Sequence, residues 1–207
     1  MPVKILLGTN NPGKIWKYGE ILQDLDVEIV TPKSLGFDFE VEENGTTFEE
    51  NAIAKAKAYS QASGLITLSE DSGLLISALG GKPGVKFRTF DGEVDHRMED
   101  EEWVEYCLKR MYGIEDRKAE LVFVAAVKHP DYVPVTVKHK TCFVLTHLPY
   151  QGRVIEGFPV RQIMYHPQYR KHHMELTREE SDALFRTGFD ERIKAAVRKY
   201  IFNNLNL

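Results

Sequence analysis

Apolar and polar positions alternate between two rhythms along this chain. Val3–Gly8 is a compact apolar run that predicts a buried strand, and the turn-rich "GTNNPGK" follows it. Ile15, Tyr18, Ile21, Leu22 and Leu25 then recur at helical spacing, which predicts a helix over Lys14–Leu25. Val27–Val30 predicts a second strand. After the acidic, turn-like "EVEENGTT" (40–47), a helix is expected over Phe48–Ala62. Thr47 with Glu50 three residues on forms a capping box, and the alanine-rich body favours helix. Gly64–Leu68 predicts another short strand, ending at "LSEDSGL" (68–74). "GGKPGV" (80–85) predicts a tight turn, and Asp95–Tyr112 a charged helix. Glu120–Lys128 and Val135–His147 predict two long neighbouring strands joined through "HPDYVP". Thr177–Asn203 is expected to be helical with a break near Gly188. The pattern is α/β at both ends with a β-rich middle. The expected architecture is one continuous α/β domain over residues 1–207, an elongated mixed sheet with flanking helices and two lobes around a central cleft.

Composition narrows this little. In 207 residues, 43% hydrophobic and 28% charged content is ordinary for a globular chain with a sizeable core. The formal charge of −4 provides no overall basic field for nucleic acid, although lysines gathered in one place still bind anions. Cys107 and Cys142 lie far apart in no metal-type spacing and read as reduced thiols. The start "MPVKILLGTNN" lacks the apolar region of a signal peptide, and no run approaches membrane-span length, so the expectation is cytoplasmic with no membrane partner.

The candidate chemistry is anionic. "GTNNPGK" joins a strand to a helix, a geometry that aims backbone N–H groups and the positive end of the helix dipole at one place. Thr9, Asn10 and Asn11 add side-chain donors and Lys14 a charge, although the same stretch also reads as a plain strand–turn–helix with an asparagine cap. It matches neither the P-loop nor the dinucleotide fingerprint. Asn51 and Lys55, four apart, share a helix face from which the lysine can reach a phosphate, although taken alone it reads as a solvated lysine. Carboxylates occur in two pairs, Glu42–Glu43 and Glu70–Asp71. Each pair alone reads as surface charge, but two such pairs near lysines suit magnesium, which takes one or two carboxylates together with water and phosphate oxygens. His166, His172 and His173 fit no zinc spacing and are expected at the surface. "EDEEWVE" (99–105) reads as a solvated helix face with Trp103 turned inward.

Taken in order, "LLGTNNPGK", "EENGTTFEENAIAKAKAYSQASGL", "SEDSGL" and "ALGGKPGV" resemble the inosine triphosphate pyrophosphatase family, specifically so through about residue 85. That resemblance implies a two-lobed α/β fold, usually a homodimer. It also implies magnesium-dependent hydrolysis of nucleoside triphosphates to the monophosphate and pyrophosphate. By the same resemblance Thr9, Asn11, Gly13 and Lys14 hold the triphosphate with Asn10, Asn51 and Lys55 beside them. Glu43 and Asp71 hold Mg2+, Asp71 with Glu70 next to it activates water, and Ser72 touches substrate. The C-terminal part departs from the family. Where members carry Gly-Phe-Gly-Tyr-Asp-Pro, this chain has "EGFPVRQIMY", keeping Gly157 and Phe158 only. "ELTREESDALFRTG" keeps the Glu-Leu-Thr-Arg-Glu-Glu frame, but Ser181 and Phe185-Arg186-Thr187 stand where members have a lysine and Ser-His-Arg. A site that reads a base by hydrogen bonds loses discrimination when its donors change. The expectation is therefore a triphosphate pyrophosphatase for inosine- or xanthosine-type purine nucleotides, or with altered base preference, with Arg161 and Arg186 as new contacts. A non-catalytic nucleotide-binding protein on the same scaffold is the alternative.

Overall fold

A computed structural model describes residues 2–152 and 157–205. The described residues form eight strands and five α-helices in a mixed sheet of order β2-β1-β3-β5-β6-β7-β8, with β4 against β3. The strands are β1 Val3–Leu7, β2 Val27–Val30, β3 Ile66–Ile76, β4 Pro83–Gly84, β5 Lys118–Lys128, β6 Val135–Leu145, β7 Met164–His166 and β8 Lys171–His172. The helices are α1 Pro12–Leu22, α2 Phe48–Ser63, α3 Asp100–Arg110, α4 Arg178–Phe185 and α5 Phe189–Leu205. Chain contacts divide the molecule into two compact units, one of residues 1–72, 123–139 and 188–207, the other of 73–122 and 140–187.

In the first unit β1 runs parallel to both β2 and β3, with Ile5 opposite Ile29 on one side and Ile66 on the other. The chain therefore leaves β1 through α1 to one side and arrives at β3 from α2 on the other. That is a topological switch point, where ligands of parallel sheets gather beyond the strands' carboxyl ends. Strand alternation sorts the core. Ile5, Leu7, Ile66 and Leu68 pack with Tyr18, Ile21 and Leu22 of α1 and Phe189, Ile193 and Val197 of α5. Leu6 packs instead with Val30 and Tyr59 of α2.

In the second unit α3 buries Trp103, Val104 and Cys107. The Trp103 ring lies 4.7 Å from Phe87 and 5.7 Å from Phe90. Arg117 ties the edge of this unit together by donating to the carbonyls of Leu145, Met111 and Thr146 at 2.6–3.0 Å.

Three expectations need correction. The largest concerns "LSEDSGL", which is not a strand end: β3 continues unbroken through it for 11 residues. The strand tolerates Glu70 and Asp71 because each meets a separate set of cations and donors. The helix expected over Asp95–Tyr112 starts later. Asp95 instead closes a local turn on the Arg97 N–H at 2.8 Å, and Glu99 with Glu102 caps a helix from Asp100. The histidines expected at the surface are largely buried, His166 completely and His172 nearly so. His166 Nε2 lies 3.3 Å from His173 Nδ1, and His172 stacks on Tyr150 at 4.6 Å. Apolar and aromatic neighbours distant in sequence, including Phe143 and Phe185, supply that cover.

Candidate active site

The site begins with the parity of β3. Glu70 continues the 66–68 register and so points towards α1, whereas Asp71 continues the Thr67 register towards α2. The adjacent carboxylates therefore have different partners.

On the α1 side, Gly8 N–H donates to Leu68 O at 2.9 Å and carries the loop out beside β3. A Cβ on Gly8 would sit 2.2 Å from Ser69 Oγ and 3.0 Å from the Tyr59 ring, so a larger residue would force these side chains to shift. The Thr9 hydroxyl accepts from the Asn11 N–H at 3.1 Å. Asn10 Oδ1 accepts from the Lys33 N–H at 3.1 Å. Asn11 caps α1 by accepting from the Lys14 N–H at 3.1 Å. Pro12 takes the first helical position, where a missing N–H costs nothing, and Gly13 follows it. One turn into α1, Lys14 Nζ donates to the Glu70 carbonyl at 3.1 Å and lies 3.4 Å from Glu70 Oε1. Lys17 and Tyr18 complete the surroundings of this carboxylate, donating to Oε2 at 2.7 and 2.5 Å. Burial pushes the Glu70 carboxyl up, but Lys17 and Lys14 outweigh it and hold the group down at about 2. The Tyr18 hydroxyl is pushed well up by burial and by the Glu70 charge.

On the α2 side, the capping box of Thr47 and Glu50 forms as expected. It starts the helix so that Asn51 and Lys55 face β3. Asn51 is buried and uses both ends of its amide. Nδ2 donates to Asp71 Oδ2 at 3.0 Å, and Oδ1 accepts from the Gly45 N–H at 2.8 Å. It thereby fastens the acidic loop to the strand. Lys55 Nζ donates to the Glu70 carbonyl at 3.0 Å and pairs with Glu43 at 3.0 Å and Asp71 at 3.8 Å. Burial raises the Asp71 carboxyl above its ordinary value despite the nearby Lys55 and the Asn51 hydrogen bond, and the Glu43 charge adds to the rise. Asp71 Oδ1 also accepts from the Ser72 N–H at 3.0 Å.

Thr9, Asn10, Asn11, Gly13, Lys14, Glu43, Asn51, Lys55, Glu70, Asp71 and Ser72 thus all lie in the first unit. Two lysines, from α1 and α2, meet on one main-chain oxygen. Glu43 and Asp71 supply hard oxygen donors of the kind that divalent cations take. Among the described residues no group of three or more His, Cys, Asp or Glu side chains gathers to hold a metal. Sequence reasoning missed Lys17 and the Tyr18 hydroxyl. A signal existed, since Lys17 is three residues from Lys14 and shares its helix face.

Phe158, Arg161 and Arg186 belong to the second unit. Phe158 stacks on Phe87 at 5.7 Å, and the Arg161 guanidinium lies 5.1 Å over the Phe158 ring. Burial alone lowers the Arg161 guanidinium, and no carboxylate among the described residues is paired with it. Arg186 closes α4 beside Asp182, 3.6 Å away. Glu156, which opens the altered "EGFPVRQIMY" stretch, lies outside the described residues.

The described chain has a mixed α/β fold that brings two carboxylates and two lysines together beside a switch point. The Ham1 family profile matches residues 5–196, and the chain belongs to that family. It is 35% identical over 191 residues to a dITP/XTP pyrophosphatase of Bacillus anthracis, covering 89% of this chain and 91% of that protein. A dITP/XTP pyrophosphatase of Yersinia pestis is 34% identical over 189 residues, covering 89% and 92%. Among solved structures, a Ham1 protein from Coxiella burnetii superposes with a TM-score of 0.82 at 28% identity, covering 95% of this chain and 99% of that one. The Staphylococcus aureus Ham1 protein gives 0.81 at 28% identity, covering 95% and 98%.

Proposed function

We propose that this protein is a nucleoside triphosphate pyrophosphatase acting on inosine- or xanthosine-type purine nucleotides, releasing the monophosphate and pyrophosphate. One observation carries the reading within a family whose relatives bear that activity. Lys14 and Lys55 converge on the Glu70 carbonyl beside Asp71, which burial and Glu43 make more basic than an ordinary carboxylate.

In this reading the ammonium groups of Lys14 and Lys55 exchange the Glu70 carbonyl for phosphate oxygens and stabilise the charge that develops there. The Gly13 N–H, at the second position of α1, joins them, with Thr9, Asn10 and Asn11 shaping the loop. Asp71 accepts the proton of the attacking water, whose oxygen bonds to the α-phosphorus as the α–β bridge breaks and pyrophosphate leaves. A raised pKa suits that role, since a proton acceptor works best with a pKa near the working pH. Asn51 holds Asp71 and the acidic loop in register, and Ser72 borders the reacting group. Glu43 and Asp71 would hold Mg2+, which supplies charge neutralisation on the phosphates and orientation of water. Two carboxylates fit an ion that keeps several waters and takes substrate phosphate oxygens for the rest. Glu70, with its carboxylate buried among Lys14, Lys17 and Tyr18, acts as a positioning group.

The base is read by different chemistry. Phe158 offers an aromatic face and Arg161 a planar donor fork that no described carboxylate pairs, with Arg186 as a further donor; the second reading is a base preference altered from inosine and xanthosine by these contacts. Homodimerisation and a cytoplasmic location complete the reading. The test is pyrophosphate release over inosine, xanthosine, guanosine, adenosine and pyrimidine triphosphates with magnesium, for the wild type and Arg161→Ala. Turnover of inosine or xanthosine triphosphate supports the activity, and a changed ranking in the variant supports the base reader. A panel that is bound but never cleaved leaves a binding protein.

A further inference from the structure

Glu70 has a single negative charge, yet two lysines approach its carboxylate. Lys17 Nζ sits 2.7 Å from Oε2, and the Tyr18 hydroxyl donates to the same oxygen at 2.5 Å. Lys14 reaches only the other oxygen, at the longer distance of 3.4 Å. Lys17 cannot readily leave. Its ammonium lies 4.5 Å over the Phe123 ring, 5.1 Å over Tyr18 and 5.2 Å over Phe189, each a favourable cation–aromatic contact. One oxygen of Glu70 is therefore taken by a fixed cation and a fixed hydroxyl. The charge of Lys14 is only loosely balanced.

We propose that Lys17 is a positioning residue that governs triphosphate affinity by occupying Glu70, so that Lys14 remains available to phosphate. Without Lys17, Glu70 turns its whole charge on Lys14 and competes with the ligand. Without Glu70, Lys14 is left wholly to the ligand. This rests on the proposed role of Lys14 in holding the triphosphate. It adds a residue that never touches the substrate and whose removal has a predictable sign.

The test compares Lys17→Met, Lys17→Arg, Glu70→Gln and the double variant Lys17→Met/Glu70→Gln. KM and kcat are measured on the best triphosphate of the panel, and the Kd of inorganic tripolyphosphate by calorimetry, after circular dichroism shows each variant folded. Lys17→Met raises KM and Kd about tenfold, the loss of roughly one close charge, with kcat changed far less. Lys17→Arg stays near wild type. Glu70→Gln lowers Kd several-fold, opposite to what structural damage does, and the double variant returns towards wild type. Single variants that shift affinity in the same direction, or a Lys17→Met loss confined to kcat, overturn the inference. If Lys17→Met does not fold, the sign of the Glu70→Gln change decides alone. A wild type that neither binds tripolyphosphate nor cleaves any triphosphate removes the underlying reading as well. A wild type that cleaves, with variants lacking opposite shifts, removes only this inference.

Discussion

Lowering the pH from 7 to 5 should weaken the fold through buried His166 and its neighbour His173, and His166→Leu should remove much of that loss. Burial, with a smaller push from His172, takes the His166 imidazole down from 6.5 to about 4. Burial also takes His173 down to about 3, helped by the Arg161 guanidinium and by His166 and His172. The folded state therefore favours neutral rings. The stability this reflects is full above 6.5 and is lost as the pH falls through 6.5 towards the folded values. At pH 5 the unfolded rings are mostly protonated and the folded ones are not. For fully buried His166 that is roughly 2 kcal/mol lost relative to pH 7. The partly exposed His173 adds less because solvent screens it, so the pair comes to roughly 3 kcal/mol. For a chain of this size that corresponds to a fall in Tm of about 6–12 °C. The window is selective, because carboxylates held low, such as Glu70 at about 2, lose their contribution only below 4.5. Asp71, held high, acts in the opposite direction and cancels when variant and wild type are compared. His166→Leu gives up the 3.3 Å contact with His173 and also a buried Nδ1 that no described residue meets, so its stability at pH 7 should lie within about 1 kcal/mol of wild type. Urea unfolding at pH 7, 6 and 5 measures both chains. A wild type flat across this range, or a variant with the wild-type slope, refutes the reasoning.

Two further outcomes follow from the site. Asp71→Asn should lower kcat about 10²–10⁴-fold by removing the proton acceptor, while the variant stays folded with a modestly lower Tm. A carboxyl with a raised pKa stabilises the fold at low pH and loses that contribution as the pH rises through its folded value, so losing the charge costs little at pH 7; the amide gives up one of the two oxygens that accept from Asn51 Nδ2 and the Ser72 N–H, about 1–3 kcal/mol. Gly45→Ala would place a Cβ 2.6 Å from Asn51 Oδ1 and 2.7 Å from Glu50 Cβ. It should cost about 1–3 kcal/mol in denaturant unfolding and, by shifting the loop that carries Glu43, about 10²-fold in kcat/KM.

Local rules made much of this chain legible. The β1–turn–α1 passage, the Thr47–Glu50 capping box and the inward Trp103 each follow from neighbours within a few residues, and the structure shows all three. The length of β3 did not follow from such rules. Glu70 and Asp71 look like a strand terminus until their partners are known, and those partners are 15 to 56 residues away, on α1 and α2. The separate roles of the two acids depend on strand parity, which becomes informative only once the strand is known to continue. The histidines failed as surface residues for the same reason, since their cover comes from Phe143, Phe185 and Tyr150. At the loop after β1, residue types suggested phosphate binding while leaving a plain cap open. In the fold Asn11 is a cap, and Lys14 one turn later reaches Glu70.

The central claim is hydrolysis at a triphosphate site built on Asp71, Lys14 and Lys55. Incubating the wild type and Asp71→Asn with inosine and xanthosine triphosphates and magnesium, and separating the products, tests it most directly. The account predicts monophosphate and pyrophosphate in equal amounts from the wild type and almost none from the folded variant. Diphosphate with inorganic phosphate as the products, or undiminished turnover in Asp71→Asn, would contradict it.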